Sequence, residues 1–297
     1  LRFLVTGAGG QLGRWLVRRI EASPQHALAG AFERRSLDVA DRAAVAAALD
    51  ATRPAVLVNA AAFTWVDRCE SEPELARRIN AEAPGILAEE CAARGIRLVH
   101  VSTDYVFDGT GRRPYTEEDQ PSPRTEYGRS KLEGEARVRA ALPDALIVRA
   151  SWVFGPGRNF VATMLGAARA RKSAADPTPL RVVDDQFGSP TYTDDLAAHC
   201  LRLVEGDASG LYHVANQGVA TWWEVAREAL DRGGFADVAI ERVATSEFPR
   251  PAPRPAFSAL DGSKADRAGL VRRSWRLALA AYIDSDDSPL RVTEERT

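Results

Sequence analysis

Arg2-Phe3-Leu4-Val5-Thr6-Gly7-Ala8-Gly9-Gly10-Gln11-Leu12-Gly13 opens the chain, and its reading decides the fold. Residues 2–6 are a short apolar run bounded by glycine, the pattern of a buried strand. Glycines at 7, 10 and 13 allow a tight turn, close approach of backbone to a pyrophosphate, and close helix–strand packing. Leu12, Leu16 and Ile20 follow at helical spacing, so a helix offers its N-terminal N–H groups to the phosphates. A glycine-rich turn alone is weak evidence. Strand, turn and helix in this order make a dinucleotide-binding signature, with Gly7, Gly10, Gln11 and Leu12 at the contact.

Outward from this stretch, strand and helix patterns alternate. A second strand, 27–32, ends at Glu33-Arg34-Arg35, where an acid would hold the adenosine ribose or an arginine the extra phosphate of NADP. Both residue types are present, so this position leaves the choice open. The adjacent guanidiniums, Arg34 foremost, tilt it toward NADPH with NADH possible, and a solvated charged loop is the competing reading. Asp38-Val39 is placed to meet the adenine, and Asp41 reads as the N-cap of an Ala-rich helix. A third strand, 55–59, ends in Ala60-Ala61-Ala62 before Phe63-Thr64. Small residues there let a cofactor lie against backbone, which makes Ala62, Phe63 and Thr64 candidates; simple core packing of the alanines is the alternative. Ser71-Glu72-Pro73-Glu74 reads as a capping box with proline just inside a helix carrying Leu75, Ile79, Ile86 and Leu87. Strands at 96–101 and 145–149 complete the alternation. The expected fold is α/β, a Rossmann-type doubly wound parallel sheet whose ligands sit at the carboxyl ends of the strands.

Two further stretches carry chemistry at that edge. The strand at 96–101 runs into Ser102-Thr103-Asp104-Tyr105-Val106-Phe107, and Tyr127-Gly128-Arg129-Ser130-Lys131 opens a helix with Tyr127 and Lys131 one turn apart on one face. Hydroxyl, phenol and ammonium can form a proton-handling unit, in which the cation favours phenolate and the phenol exchanges a proton with a carbonyl oxygen. Tyr-x-x-x-Lys is common on helix surfaces, and its weight here comes from the dinucleotide signature.

After Trp152 the pattern changes. A loop at 155–160, a helix at 161–172 and an irregular stretch at 180–192 precede a helix at 193–205 and a strand at 211–214 expected to return to the sheet. Thr221-Trp222-Trp223-Glu224 is a second capping box, opening a helix that stops at Gly233-Gly234; its tryptophans read as core. Pro249–Pro255 reads as an ordered loop, and 284–297 as a polar, frayed tail. The expected organisation is a dinucleotide-binding domain over 1–150, rejoined by about 193–218, and a smaller C-terminal substrate-binding lobe over 151–192 and 219–297.

Composition sets bounds on partners. The 297 residues carry a formal net charge of −2, which gives no electrostatic reason to expect nucleic acid or an anionic membrane. Three separated cysteines suit free thiols in a reducing compartment, and four histidines without ligand spacing suggest no metal. His100, inside a strand, reads as a satisfied core residue. No apolar run reaches membrane length and strand pattern begins at once, so a soluble cytoplasmic protein is expected.

Together these motifs, with Asn59 to Asp67, Ser151-Trp152-Val153, Asp185 to Thr191 and Gly210 to His213, resemble the extended short-chain dehydrogenase/reductases, and within them the dTDP-4-dehydrorhamnose reductases. The resemblance extends to about residue 260. It implies NAD(P)H-dependent reduction of the C4 ketone of dTDP-4-dehydrorhamnose to dTDP-L-rhamnose, with Tyr127 as proton donor. Lys131 would lower the phenol's pKa and hold the nicotinamide ribose. Thr103 would bond the substrate C4 oxygen, and Asp104 and Trp152 would line the sugar pocket. Asp104 is followed by Tyr105 rather than the glutamate of related dehydratases, which disfavours dehydration. Departures are Ala150 where the family often has a hydroxyl, Ser258-Ala259-Leu260 without the usual arginine, and Arg14-Trp15 where some members bridge dimers by metal. No metal is therefore carried over, and a monomer or homodimer is expected. The alternatives are a 4-ketoreductase for another nucleotide deoxysugar and a non-catalytic NADP-binding regulatory subunit of the same fold.

If the arginines read the extra phosphate, Arg34→Ala combined with Arg35→Ala weakens NADPH binding more than NADH binding. Equal losses in a titration with each nucleotide would reject that role.

Overall fold

The computed structural model describes residues 1–291. Its first half alternates as the sequence pattern requires: β1 (Arg2–Thr6), α1 (Gln11–Ala22), β2 (Ala27–Phe32), α2 (Arg42–Thr52), β3 (Val56–Asn59), α3 (Val66–Ser71), α4 (Pro73–Arg77), α5 (Ala83–Arg94), β4 (Arg97–Thr103), α6 (Glu126–Ala141) and β5 (Leu146–Ala150). The second half holds β6 (Val153–Phe154), α7 (Phe160–Ser173), β7 (Leu180–Val183), β8 (Phe187–Gly188), β9 (Thr191–Tyr192), α8 (Thr193–Glu205) and β10 (Gly210–His213). It ends with β11 (Ala220–Thr221), α9 (Trp222–Arg232), β12 (Ile240–Val243), α10 (Ser263–Arg267) and α11 (Trp275–Asp284).

Six strands form one sheet in the order β10-β5-β4-β3-β1-β2, and every pairing in it is parallel. The chain reverses direction across the sheet between β1 and β3, so a crevice opens beyond their carboxyl ends. Alternation along each strand sorts the core onto two faces. Phe3 and Val5 pack with Leu16 and Ile20 of α1 and Leu196 and Cys200 of α8. Leu4, Leu57 and Leu98 face Leu49 of α2, Leu87 of α5 and Val138 of α6. Each such side chain contributes about 1.5–3 kcal/mol by leaving water. The doubly wound architecture is therefore as expected, and the strand at 210–213 does rejoin the sheet beside β5. A second core, around Tyr192, Leu230, Trp275 and Tyr282, gathers α7, α9 and α11. Ala265 and Leu270, late in the chain, pack instead into the core of the sheet.

Local signals fared unevenly. Asp41 caps α2 by accepting from Ala44 N–H, and Thr221 and Glu224 form the capping box of α9. The box expected at Ser71 does not form. Ser71 is the last residue of α3, its hydroxyl donates to the Arg68 carbonyl, and Glu72 precedes Pro73 without a side-chain cap. The helix read after it does form and carries Leu75, Ile79, Ile86 and Leu87, with a π-helical turn over Arg78–Glu82 within it. The stretch 180–192 is not irregular throughout, because β7 pairs in parallel with β12, some sixty residues away. Residues 285–291 are not frayed: Ser288 is fully buried and Asp287 pairs with Arg18 of α1. The remainder of the tail, 292–297, lies outside the described residues. His100 is buried, with Nδ1 accepting from the Asn59 amide, but its Nε2 lacks a partner among the described residues.

The π-turn matters because α6 packs tightly against it. A Cβ at Gly134 of α6 would lie 2.1 Å from the Asn80 carbonyl oxygen. Gly134→Ala therefore destabilises the fold by about 1–3 kcal/mol through overpacking. An unchanged denaturant midpoint would mean that α6 is free to shift.

Candidate active site

The turn after β1 is built as a phosphate cradle. Gly7 has φ +72°, a conformation that other residues adopt at a cost, and its missing Cβ leaves room for the Ala60 and Ala61 backbone. Helix α1 starts at Gly10 with no side-chain cap and no acidic residue in its first turn. Its N–H groups are thus available to an anion. A cofactor with a pyrophosphate fits these residues.

Two adjoining cavities open along the carboxyl edge of the sheet. One, about 430 Å³, is walled by Gly7, Arg34, Asp38, Val39 and Phe63. The other, about 860 Å³, takes in Gln11, Leu12 and Thr64 before reaching the ends of β4 and α6. Gly10, Ala60 and Ala62 belong to both. Every residue nominated for the cofactor lines one or the other. Arg35 lines neither, whereas Arg78 of the π-turn, which the sequence reading passed over, lines the smaller cavity and pairs with Asp38.

The larger cavity gathers Thr103, Asp104, Tyr127, Lys131 and Trp152. Thr125 caps α6 by accepting from Gly128 N–H at 3.0 Å, which starts the helix so that Tyr127 and Lys131 face β4. Tyr127 and Thr103 line this cavity together. Thr103 donates to Asp104 Oδ1 at 2.9 Å, and Ser151 donates to Asp104 Oδ2 at 2.9 Å. Burial pushes the Tyr127 phenol well above its ordinary value, with the Thr103 hydroxyl opposing. Asp104 is also raised, first by burial and despite its hydroxyl donors. Asp104 thus lines the cavity with both oxygens occupied, and it fixes the Thr103 hydroxyl.

The ammonium of Lys131 donates to the Val101 carbonyl at 2.6 Å. Burial lowers its pKa from 10.5 to about 8, and the charge of Glu135 opposes that shift. Ser102, the other hydroxyl at this strand end, donates to Glu135 at 2.6 Å.

Asn80 was not singled out by the sequence. Its Oδ1 accepts from Phe63 N–H at 2.8 Å, and its Nδ2 donates to the Phe63 carbonyl at 3.0 Å and to Ser130 Oγ at 3.1 Å. It ties the cofactor-side loop after β3 to α6. Trp222 was read as core and is instead a wall of the cavity. It stacks on Trp152 with centroids 3.6 Å apart and planes at 4°, and its Nε1 donates to Gln186 Oε1 at 3.1 Å. Trp223 is only half-buried, beneath the Arg242 guanidinium. The missing arginine near 258–260 has counterparts elsewhere, since Arg181, Arg250 and Arg254 line the same cavity.

The chain matches the family model described as the RmlD substrate binding domain over residues 1–288. It is 46% identical to the dTDP-4-dehydrorhamnose reductase of Streptomyces griseus, across 94% of this chain and 91% of that one. It is 41% identical to the dTDP-4-keto-6-deoxy-D-glucose reductase of Streptomyces niveus, across 97% and 99%. The crystal structure of dTDP-4-dehydrorhamnose reductase from Bacillus anthracis in complex with NADP superposes with a TM-score of 0.87 at 34% identity, covering 95% of this chain and 98% of that one.

The lowered Lys131 pKa has a stability consequence. The folded state binds this proton less tightly than the unfolded chain, so stability is lost as pH falls from 10.5 to about 8. The loss approaches about 3 kcal/mol and is constant at lower pH. Lys131→Met removes it. The variant's stability relative to the parent should therefore rise as pH falls through that window, then level off. Denaturant midpoints across the range check this, and a pH-independent offset would contradict it.

Proposed function

The chain belongs to the RmlD family of dTDP-4-dehydrorhamnose reductases, and from that premise we propose that it reduces the C4 ketone of dTDP-4-dehydrorhamnose to dTDP-L-rhamnose with NADPH. The observation that carries the reading is the convergence of Tyr127, Thr103 and Lys131 in one cavity that is continuous with the phosphate cradle at Gly10. NADPH, when bound, supplies the hydride.

The protein supplies position and a proton. Thr103 orients the C4 oxygen beside the Tyr127 phenol, and Tyr127 gives its proton to that oxygen as negative charge develops on it. Burial keeps Tyr127 protonated until then, as a proton donor must be. Lys131, held by the Val101 carbonyl, supplies positive charge that favours the phenolate left behind. Its second role is to hold the nicotinamide ribose. Arg34 and Arg78 face the adenosine end and suit the extra phosphate of NADPH. Arg250 and Arg254 provide positive charge for the substrate diphosphate, in place of the arginine absent from 258–260. The Trp152–Trp222 stack is an apolar wall for the sugar. Among the described residues no helix is long and apolar enough to cross a membrane.

The similarity to the Streptomyces niveus enzyme supports a second reading, the same chemistry on another dTDP-4-ketosugar. A non-catalytic cofactor-binding subunit would have no physical need for Tyr127, Lys131 and Thr103 together.

NADPH oxidation measured against a panel of nucleotide 4-ketosugars, with product stereochemistry determined, separates these readings; no oxidation with any member would reject the enzyme. Tyr127→Phe should lower turnover by about 10²–10⁴-fold and leave NADPH binding nearly intact. Retained turnover would remove the phenol from the proton-donor role.

A further inference from the structure

Beneath the site lies an ionic cluster to which the reduction as derived so far gives no part. Glu135 sits one helical turn beyond Lys131 on α6 and is fully buried. Its Oε1 accepts from Ser102 Oγ at 2.6 Å and from Arg149 Nε at 2.8 Å. Its Oε2 accepts from Arg149 Nη2 at 2.7 Å and, more distantly, from Arg139 at 3.3 Å. Arg149 is 1% exposed and lies over the Phe107 ring. Its Nη1 is 3.4 Å from Nε2 of His213, whose Nδ1 donates to the Tyr115 carbonyl.

A carboxylate this deep is costly unless paired, and Arg149 pairs it in both oxygens. Lys131 is equally deep, yet its ammonium bonds a neutral carbonyl, which leaves its charge without a counter-ion in contact among the described residues. The groups facing Lys131 and Glu135 are few. From β4 come His100, Ser102 and Thr103; from the turn after it, Asp104 and Tyr105; from β5, Arg149; from β10, His213. On α6 itself are Tyr127 and Arg139, and from α3 comes Cys69 beside Tyr127. Arg77 and Glu82 meet α6 only at its exposed side, through Glu133. Of these carboxylates Asp104 is committed to Thr103 and Ser151, and burial holds it toward the neutral form.

We propose that Glu135 is the positioning residue of this site: anchored by Arg149 and Ser102, it is the buried counter-charge that keeps Lys131 an ammonium beside Tyr127. The proposal rests on the reading of Lys131 given above, but its test does not require the ketosugar. Burial holds His213 near 4 and His100 well below its ordinary range, so neither adds a competing charge at neutral pH. Burial also penalises the Glu135 carboxylate, yet the bonds and charge of Arg149 keep it below the usual range and ionised.

The chain has three lysines, Lys131, Lys172 and Lys264, so lysine-selective carbon-13 NMR can follow each one, with Lys131→Met assigning the resonance. In the full-length protein, Glu135→Gln should lower the Lys131 midpoint by about one unit, a tenfold loss of proton affinity. Glu135→Asp should recover part of it, while Lys172 and Lys264 stay unmoved. The basic limb of kcat/KM for ketosugar reduction should move to lower pH by the same amount. Should Glu135→Gln fail to fold because Arg149 is left unpaired, the double variant Glu135→Gln/Arg149→Met removes both charges and should show a smaller fall, because losing the more distant Arg149 charge offsets part of the loss of Glu135. A Lys131 midpoint unchanged in whichever of these folds overturns the proposal, whatever sugar the enzyme reduces.

Discussion

The site depends on how closely α6 lies against backbone that is not its own. A Cβ at Gly128 would stand 2.2 Å from the Tyr105 carbonyl oxygen, and one at Gly134 would stand 2.1 Å from that of Asn80. These two approaches, six residues apart, bracket Lys131. They leave α6 no freedom to retreat from β4, so the side chains of Tyr127, Lys131 and Glu135 are driven into the sheet edge on three successive turns. Reacting groups tolerate displacement poorly, on the order of 10²-fold in rate for a shift of about 1 Å. Two glycines, by having no side chain, thus fix the groups that do the chemistry.

The pleat of β4 explains why the polar groups separate into two networks. Ser102 and Thr103 are neighbours in sequence and therefore point to opposite faces of the strand. Thr103 turns to the cavity and joins Tyr127, Asp104 and Ser151. Ser102 turns inward and joins Glu135 and Arg149. Each network satisfies groups that would be costly to bury alone. The upper one is a chain of hydroxyls around one carboxylate, suited to holding a proton in place. The lower one is ionic and bidentate, suited to holding a charge in place.

The features legible in the sequence are those whose signal is local. The strand–turn–helix at residues 2–22, the helix at 193–205 and the capping box at Thr221 each carry their cause within a few residues. Ser71 carried a similar local signal and misled, because it closes α3 and its hydroxyl bonds backward to Arg68 instead of capping forward. Residues defined by distant partners were not readable. Glu135, four after a lysine on a helix, has the pattern of a solvated pair; only β5 arriving with Arg149 makes it buried. Asn80 gains its role from a π-turn that propensity does not announce, and β7 waits sixty residues for β12. Trp222 looked like core because its partner, Trp152, lies seventy residues earlier.

Trp152 shows what such long-range assembly permits. Its φ is +45°, a left-handed conformation that costs a non-glycine residue roughly 1–2 kcal/mol. The surroundings hold it there. The Trp152 carbonyl accepts from Thr191 N–H at 3.1 Å, which pins the backbone between β5 and β6. The indole is stacked on Trp222, whose own position is set by the capping box of α9 and by the bond to Gln186. An extended backbone at this position would direct the indole elsewhere and leave the cavity without its apolar wall. Strain at one residue is thus offset by a stack and hydrogen bonds contributed from three other elements, and the result is a flat, fixed surface in the cavity that Tyr127 and Thr103 also line.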